Sequence, residues 1–125
     1  MQKKRYKSYI EGYMKKISWN DFTKVELRVG KIISAQAFPE AHKPAYQLMI
    51  DFGDKIGAKK SSAQITDLYT IDDLTGKLVV AVINFPPKQI GQMMSECLVT
   101  GFYNNEGHVT LCIPDKEVPL GTKLL

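Results

Sequence analysis

The chain has 125 residues, enough for one domain with a substantial apolar core and no need of stabilising disulfides or metals. No apolar run approaches the roughly 20 residues of a membrane-spanning helix, and the basic N-terminus lacks the apolar segment of a secretory signal, so we expect no membrane insertion. The formal net charge is +4. Residues 1–16 hold six Lys or Arg and one Glu, a balance of +5, so the remaining residues carry −1. Any basic patch outside residues 1–16 must therefore come from geometry and not from bulk charge.

Residues 1–16 form a basic N-terminal extension that allows three interpretations. Aromatic and apolar residues recur there at helical spacing, which favours an amphipathic helix docking on the domain or on a partner. The cluster of lysines also suits a nucleic-acid-binding arm. The third interpretation makes Met14 the true start and the preceding residues a start-site or cloning artefact. The helical pattern consists of Tyr6, Tyr9, Ile10, Tyr13 and Met14.

The domain itself is predicted to begin at residue 17 and to be built from short strands. Ser18 is a favourable N-cap for a short helical turn, which we expect to bury Trp19 and Phe22. Apolar and polar residues then alternate from Val25, and Gly30 is predicted to mark a bulge or sharp bend. The strands are predicted at residues 25–38, 45–52, 58–65, 78–83, 97–103 and 109–113, with a capped helical turn at 70–74 and a hairpin loop at 104–107. This pattern predicts an all-β fold, a five-stranded OB-fold barrel with short helical turns and N- and C-terminal extensions.

Residues 84–98 carry the strongest functional signal. The apolar strand before them meets two prolines, which stop it because neither can donate a ladder hydrogen bond. We interpret the residues after the prolines as a loop. Together with Asn84 before the prolines, this loop offers an amide, a cation and a hydroxyl above an apolar platform, beside two flexible methionines. Such a strand end predicts a binding surface. The residues concerned are Asn84, Lys88, Ser95, Met93 and Met94.

Three separated segments give residues 17–125 a specific resemblance. They are His42 to Tyr46, Ser61 to Thr66 and Asn84 to Gly91, together with the Val25–Ile32 strand and the Pro39-Glu40-Ala41 loop. These residues resemble the tRNA-binding-domain family of OB folds and, within it, the CsaA-type secretion chaperones. The resemblance implies a cytoplasmic homodimer that holds non-native or preprotein polypeptides and that could also bind tRNA. One departure counts against tRNA contact at the loop: Cys97 follows Ser95-Glu96 where tRNA-binding members usually have glycine, which lets a nucleic-acid backbone approach closely.

Two candidate surfaces can be assembled from these residues. The first is a basic face that tracks phosphates, although lysines also coat ordinary soluble domains. The second is an adaptable apolar surface for peptides, because methionine is flexible and polarizable. Core filling is the alternative for each methionine, but adjacent methionines after a Pro-Pro loop favour the exposure of one. A peptide could instead add to a strand edge. The predicted tRNA contacts are Arg28, Lys31, Lys43, Asn84, Lys88 and Ser95, and the predicted peptide contacts are Met49, Phe85, Ile90, Met93 and Met94.

Catalytic and metal chemistry have little support in the sequence. Cys97 and Cys112 lie in apolar segments and are predicted to be buried free thiols, which fits a reducing cytoplasm. With His42 and His108 they lack metal-ligand spacing, and no nucleophile elbow or glycine-rich phosphate loop occurs. We therefore expect no enzyme, no metal and no cofactor. The leading hypothesis is an ATP-independent, export-related chaperone that acts as a homodimer. The alternatives are a tRNA-binding module and an adaptor that recruits a protein through residues 1–16.

Overall fold

The computed structural model describes residues 14–125, so the predicted N-terminal helix and basic arm lie outside the described residues. Helix α1, Trp19–Thr23, is capped by Ser18, whose hydroxyl accepts a hydrogen bond from the Asp21 amide at 3.0 Å. The Asp21 carboxylate accepts in return from the Ser18 amide, and these bonds lower the pKa of Asp21. The predicted burial of Trp19 is wrong: its side chain is 71% exposed and contacts the ring of Phe22, with the centroids 5.5 Å apart.

Five strands form the antiparallel sheet that is the body of the domain: β1 Leu27–Ala37, β2 Tyr46–Asp51, β3 Ala58–Ala63, β4 Leu78–Val82 and β7 Leu98–Val99. Their order in the sheet is β3-β2-β1-β4-β7. The strand β1 is long enough to pair with β2 through its C-terminal half and with β4 through its N-terminal half. This curling of one strand between two partners is what turns the sheet into a barrel. The all-β OB-fold prediction is confirmed.

The barrel is nearly closed where β3 meets the segment that leads into β7. The Glu96 amide donates to the Lys60 carbonyl at 2.8 Å, and the Ser61 hydroxyl donates to the Cys97 carbonyl at 3.0 Å. Apolar side chains from all sides fill the interior, where burial of each large side chain contributes about 1.5–3 kcal/mol. The most deeply buried of them are Ile32, Leu48, Ile50, Phe52, Leu74 and Val79.

Gly30 does not form a bulge, one of the two features predicted for it. It pairs regularly with Val79, and the register of β1 instead shifts between Ile32 and Ser34. The reason for glycine is packing: a Cβ atom at this position would lie 2.5 Å from the Cγ2 atom of Ile50. A glycine in a strand can mark either a bulge or a close approach, and here the close approach decides.

Two predictions about the C-terminal half also need correction. The predicted strand 97–103 is divided at Thr100, whose amide and hydroxyl both donate to the Val80 carbonyl; the second part is β8, Gly101–Tyr103, which pairs with β9, Val109–Leu111. The segment after Pro87, predicted as a loop, contains a hairpin of β5, Lys88–Ile90, and β6, Met93–Ser95. The hairpin forms because Gly91 adopts a φ of 58° in its turn.

Helix α2, Ile71–Leu74, begins at Thr70 with the predicted cap, and Gly76 follows it with a φ of 90°. Thr70 and Asp73 form a capping box, in which the Thr70 amide donates to the Asp73 carboxylate at 2.9 Å and the Thr70 hydroxyl accepts from the Asp73 amide at 3.2 Å. The interactions with Thr70, led by the one with its backbone, lower the pKa of Asp73. Both cysteines are free thiols; Cys97 is buried, whereas Cys112 is only half-buried. Within residues 14–125, no helix is long and apolar enough to cross a membrane.

The C-terminal segment is held against β1 by a group of residues that we call the tail clamp, consisting of Glu26, Arg28, Asn84, Gly121 and Lys123. Arg28 donates to Glu26 at 2.7 Å and to the Gly121 carbonyl at 2.9 Å. Lys123 donates to the other oxygen of Glu26 at 2.9 Å. These contacts, led by the hydrogen bond from Lys123, lower the pKa of Glu26.

Candidate functional site

A groove runs between the β1–β2 loop, residues 38–45, and the β5–β6 hairpin. These are the loops that flank the ligand-binding face of an OB barrel. Three adjoining cavities of about 310, 600 and 210 Å³ make up the groove, and Gln64 at the end of β3 lines all three. In that order, we call them the apolar cavity, the charged cavity and the hairpin cavity. The last is named for the β8–β9 hairpin, which borders it. The residues that characterise the groove are Lys43, Ser62, Gln64, Phe85, Lys88, Ile90, Leu98 and Tyr103.

The apolar cavity presents large hydrophobic side chains to the surface. Phe85 is 55% exposed and Leu98 is 51% exposed, and both line it together with Pro86 and Ile90. Exposed hydrophobic side chains that share one concave surface are typical of an interaction site, unlike the same residues scattered singly. Two of the predicted peptide contacts, Phe85 and Ile90, therefore lie together in one cavity.

A small apolar core, separate from the barrel interior, joins the two walls of the groove, which are the β1–β2 loop and the β5–β6 hairpin. Phe38 and Ala45 from the β1–β2 loop pack with Met93 of β6, and Ile90 packs against them. The turn of the hairpin also fits closely, since a Cβ at Gly91 would lie 3.6 Å from the Phe38 ring. Because both walls share this core, the groove has a defined width before any ligand binds.

Polar groups that line the apolar cavity are already hydrogen-bonded within the fold. The Ser95 hydroxyl accepts a hydrogen bond from the Ser62 amide at 3.0 Å, and the Glu96 carboxylate accepts from the Lys60 amide at 2.8 Å. Burial raises the pKa of the Cys97 thiol to about 11, so this thiol stays protonated at neutral pH. A protonated, buried thiol is a weak nucleophile.

The charged cavity brings two predicted cations together. Lys43 from the β1–β2 loop and Lys88 from β5 both line it, alongside His42 and the single acidic side chain Glu40. Both lysines are exposed, and no ion pair within residues 14–125 involves either of them. Their charges are therefore available to an anionic partner.

Three predicted tRNA contacts lie outside the groove cavities. Arg28 belongs to the tail clamp, and Lys31 borders a separate cavity of about 410 Å³ formed with residues 117–120. The Asn84 side chain accepts from the Glu26 amide at 3.0 Å and donates to the Lys24 carbonyl at 2.7 Å. Arg28 and Asn84 thus make structural contacts, and any role in tRNA binding stays a prediction.

The three predicted methionine contacts have different surroundings. Met93 is buried in the small core below the groove, whereas its neighbour Met94 is 38% exposed. The expected exposure of one of the two is therefore confirmed. Met49 and Met93 border a further cavity of about 120 Å³, between β2 and β6. Contact of Met49 and Met94 with a peptide remains a prediction, and the burial of Met93 counts against its direct contact.

Sequence reasoning did not select several of the groove's residues as site residues, among them Leu98 and Ser62 of the apolar cavity and the three described next. Gln64 stands directly after β3, His42 follows the Pro39-Glu40-Ala41 loop, and Tyr103 is 78% exposed in β8 beside the hairpin cavity. The usable signal was position, because Gln64 and His42 both fall in segments that carry the family resemblance. Tyr103 gave no such signal, since its place beside Lys43 depends on the β8–β9 pairing.

The model of a known family matches most of the described structure. Residues 27–123 match the family described as "Putative tRNA binding domain", which covers the barrel and the tail. The chain belongs to the tRNA-binding-domain family. It is also 33% identical over 121 residues to the methionine–tRNA ligase of Thermococcus onnurineus, and 30% identical over 129 residues to that of Methanocaldococcus jannaschii. Alignment covers 97% and 99% of this chain but only 16% and 19% of those ligases.

Solved structures locate the chain within the tRNA-binding-domain family. The chaperone CsaA of Picrophilus torridus is 51% identical, with a TM-score of 0.82, over 88% of this chain and 100% of that one. The chaperone CsaA of Bacillus anthracis is 45% identical, with a TM-score of 0.82, over 89% of this chain and 100% of that one. The chain is a CsaA-type member of the tRNA-binding-domain family.

Proposed function

We propose that this protein is a non-catalytic, ATP-independent chaperone of the cytoplasm that holds non-native or export-bound polypeptides in the groove. The exposed apolar cavity carries this proposal. Phe85 and Leu98 are each about half exposed, and the small core around Phe38 holds their surroundings in place. An apolar client side chain that covers them removes hydrophobic surface from water, which favours binding by about 25 cal/mol per Å² buried.

Holding without ATP requires weak contacts that reverse by themselves. A client segment buries one or two side chains in the groove, which supports modest affinity and ready release. We propose that the protein acts as a homodimer, because two grooves on one particle raise the avidity for a long unfolded chain. The two-fold symmetry of such a dimer makes the two grooves equivalent.

A second candidate function, tRNA binding, is favoured by the charged cavity. Lys43 and Lys88 are exposed and lie along one cavity, in a chain of the tRNA-binding-domain family. Exposed lysines with no ion pair can neutralise backbone phosphates, and the exposed ring of Phe85 could stack a base. The remaining predicted contacts would have to bind tRNA from the positions they occupy in the fold. They are Arg28, Lys31, Asn84 and Ser95.

The two functions separate by their dependence on charge. We propose to measure suppression of client aggregation and binding of bulk tRNA at about 50 and 300 mM salt, for the wild type and for Lys43→Glu/Lys88→Glu. A chaperone that works through Phe85 and Leu98 retains its activity in salt and in the double variant. A tRNA binder loses affinity with a log-log slope of about −0.7 to −0.9 per phosphate contacted and fails in the double variant.

Lys116→Glu is the matched control, because Lys116 is 89% exposed in the C-terminal segment and does not line the groove. It reverses a lysine charge without changing the groove. Absence of aggregation suppression by the wild type at both salt concentrations would contradict the chaperone proposal. Salt-steep tRNA binding that the control retains and the double variant loses would favour the second function.

A further inference from the structure

Gln64 occupies the junction of the groove's three cavities. It follows directly after β3, and its side chain lines the apolar, charged and hairpin cavities alike. Three other glutamines use their amides within the fold: Gln36 donates to the amide oxygen of Gln47 at 3.0 Å, and Gln89 donates to the Gly91 carbonyl at 2.7 Å. Within residues 14–125 no such bond engages the amide of Gln64, which is exposed. A polar group at the centre of the groove is thus open to a ligand.

The chemistry of this group matches a peptide backbone. A glutamine amide has N–H donors and a carbonyl acceptor in one plane. Each main-chain peptide unit of an extended polypeptide also presents one donor and one acceptor. Contacts to the main chain are independent of the client's side chains, and they allow peptide binding with little sequence preference. A residue of this kind suits a protein that must hold many different unfolded chains.

The neighbours of Gln64 complete a main-chain site. Phe85 and Leu98 lie along the apolar cavity on one side of it, and Lys43 and Tyr103 lie along the hairpin cavity on another. An extended chain rises about 3.3 Å per residue, and its side chains alternate in direction. A client that crosses Gln64 can therefore place one side chain in the apolar cavity while the next points away from the groove.

We propose that Gln64 reads the main chain of an extended polypeptide client. Its amide N–H donates to one client carbonyl, and its carbonyl oxygen accepts from a client N–H. An adjacent client side chain enters the apolar cavity beside Phe85 and Leu98. This inference rests on the proposed chaperone function and names the part of the client that the groove recognises.

The test combines a variant with a modified backbone. The probe is a short, fluorescein-labelled, alanine-based peptide with a central leucine, made in a parent form and in forms with a single N-methylated amide at successive positions. Binding is measured by anisotropy for the wild type, Gln64→Ala, Gln64→Glu and the control Gln36→Ala. A permanently unfolded polypeptide, reduced and carboxymethylated, serves as a second probe. Because Gln64 is exposed, its substitution is expected to leave the unfolding midpoint unchanged.

The expected result is a non-additive pair of effects. N-methylation at one position weakens binding to the wild type, and Gln64→Ala weakens binding of the parent peptide by roughly ten-fold, the order of magnitude of main-chain hydrogen bonds. The same N-methylation then has no further effect on Gln64→Ala. Gln64→Glu, which keeps an acceptor and loses the donors, loses affinity as well. Gln36→Ala behaves as the wild type does.

Other outcomes overturn the proposal in distinguishable ways. If the wild type binds both probes and Gln64→Ala binds them equally well, the main-chain contact is wrong and the chaperone function stands. The same holds if N-methylation weakens binding to wild type and Gln64→Ala by the same factor. If the wild type binds neither probe, the chaperone function itself fails. If Gln64→Ala loses a single-stranded oligonucleotide and keeps both polypeptide probes, Gln64 reads bases and not peptide units.

Discussion

The tail clamp and the groove contain the same kinds of side chain and use them in opposite ways. In the tail clamp, Arg28 and Lys123 converge on Glu26, and the Asn84 amide bridges two backbone groups. In the groove, Lys43 and Lys88 have no ion pair within residues 14–125. A polar residue that partners inside the chain satisfy supports the fold, whereas an exposed one without such partners is open to water or to a ligand. We expect substitutions in the first region to change stability and those in the second to change binding.

Gly121→Ala is the strongest test of the tail clamp. Gly121 has a φ of 87°, and a Cβ there would lie 2.6 Å from the Phe52 carbonyl oxygen. We expect a loss of about 2–3 kcal/mol in the free energy of unfolding, from the left-handed backbone and the clash together. Gly107→Ala is the matched control, because its φ is 79° and nothing lies within 4 Å of a Cβ. Equal losses in urea unfolding would show that the tail is not packed as described.

Asn84→Ala separates stability from binding at a residue first predicted to contact tRNA. The substitution removes the hydrogen bonds to the Glu26 amide and the Lys24 carbonyl. We expect a loss of about 1–2 kcal/mol in the free energy of unfolding, with client affinity and tRNA affinity unchanged. Asn105→Ala, in the exposed β8–β9 turn, is the control. A specific fall in tRNA affinity without loss of stability would restore Asn84 as a ligand contact.

The tail clamp also predicts a pH dependence. Its cations hold the pKa of Glu26 below the ordinary value of 4.5, so the charged carboxylate stabilises the folded state. That contribution is complete above pH 4.5 and is lost as pH falls through the lower, folded-state pKa. Glu26→Gln should therefore lower the unfolding midpoint at neutral pH and approach the wild type in acid. A constant difference between the two proteins across pH would contradict the ion network.

Charge reversal in the groove should have the smallest effect on stability. Lys43→Glu/Lys88→Glu changes exposed side chains that have no ion pair within residues 14–125, and we expect the free energy of unfolding to stay within about 0.5 kcal/mol. Denaturant unfolding measures this directly. A larger loss would mean that these lysines support the fold, as Arg28 does.

The barrel could be predicted well because its main strands have local patterns in the sequence. Alternation from Val25 and the apolar run at residues 78–83 predict β1 and β4, and Ser18 and Thr70 mark the helix caps. The hairpin within residues 84–98 was missed because the adjacent prolines suggested a loop. Its three-residue strands gain their stability from packing on Phe38, which no local pattern shows.

The site was only partly predictable for a related reason. Lys43 and Arg28 look equivalent in sequence, but Arg28 finds its carbonyl partner at Gly121, which lies 93 residues further along the chain. No local pattern in the sequence distinguishes Gln64 from other glutamines, and only the structure shows that it lines three cavities. Distant pairing decides which polar residues are already satisfied, and a single sequence contains no direct record of it.

The most direct test of the chaperone proposal is the affinity of an unfolded polypeptide for Phe85→Ser. Leu68→Ser is the matched control, because Leu68 is 45% exposed and lies outside the groove cavities, whereas Phe85 is 55% exposed within the apolar cavity. Anisotropy with a labelled, carboxymethylated unfolded protein should show about five-fold weaker binding to Phe85→Ser, as expected for loss of a partly buried aromatic contact. The control should bind as the wild type does. Equal affinity of all three proteins would contradict the groove as the client site.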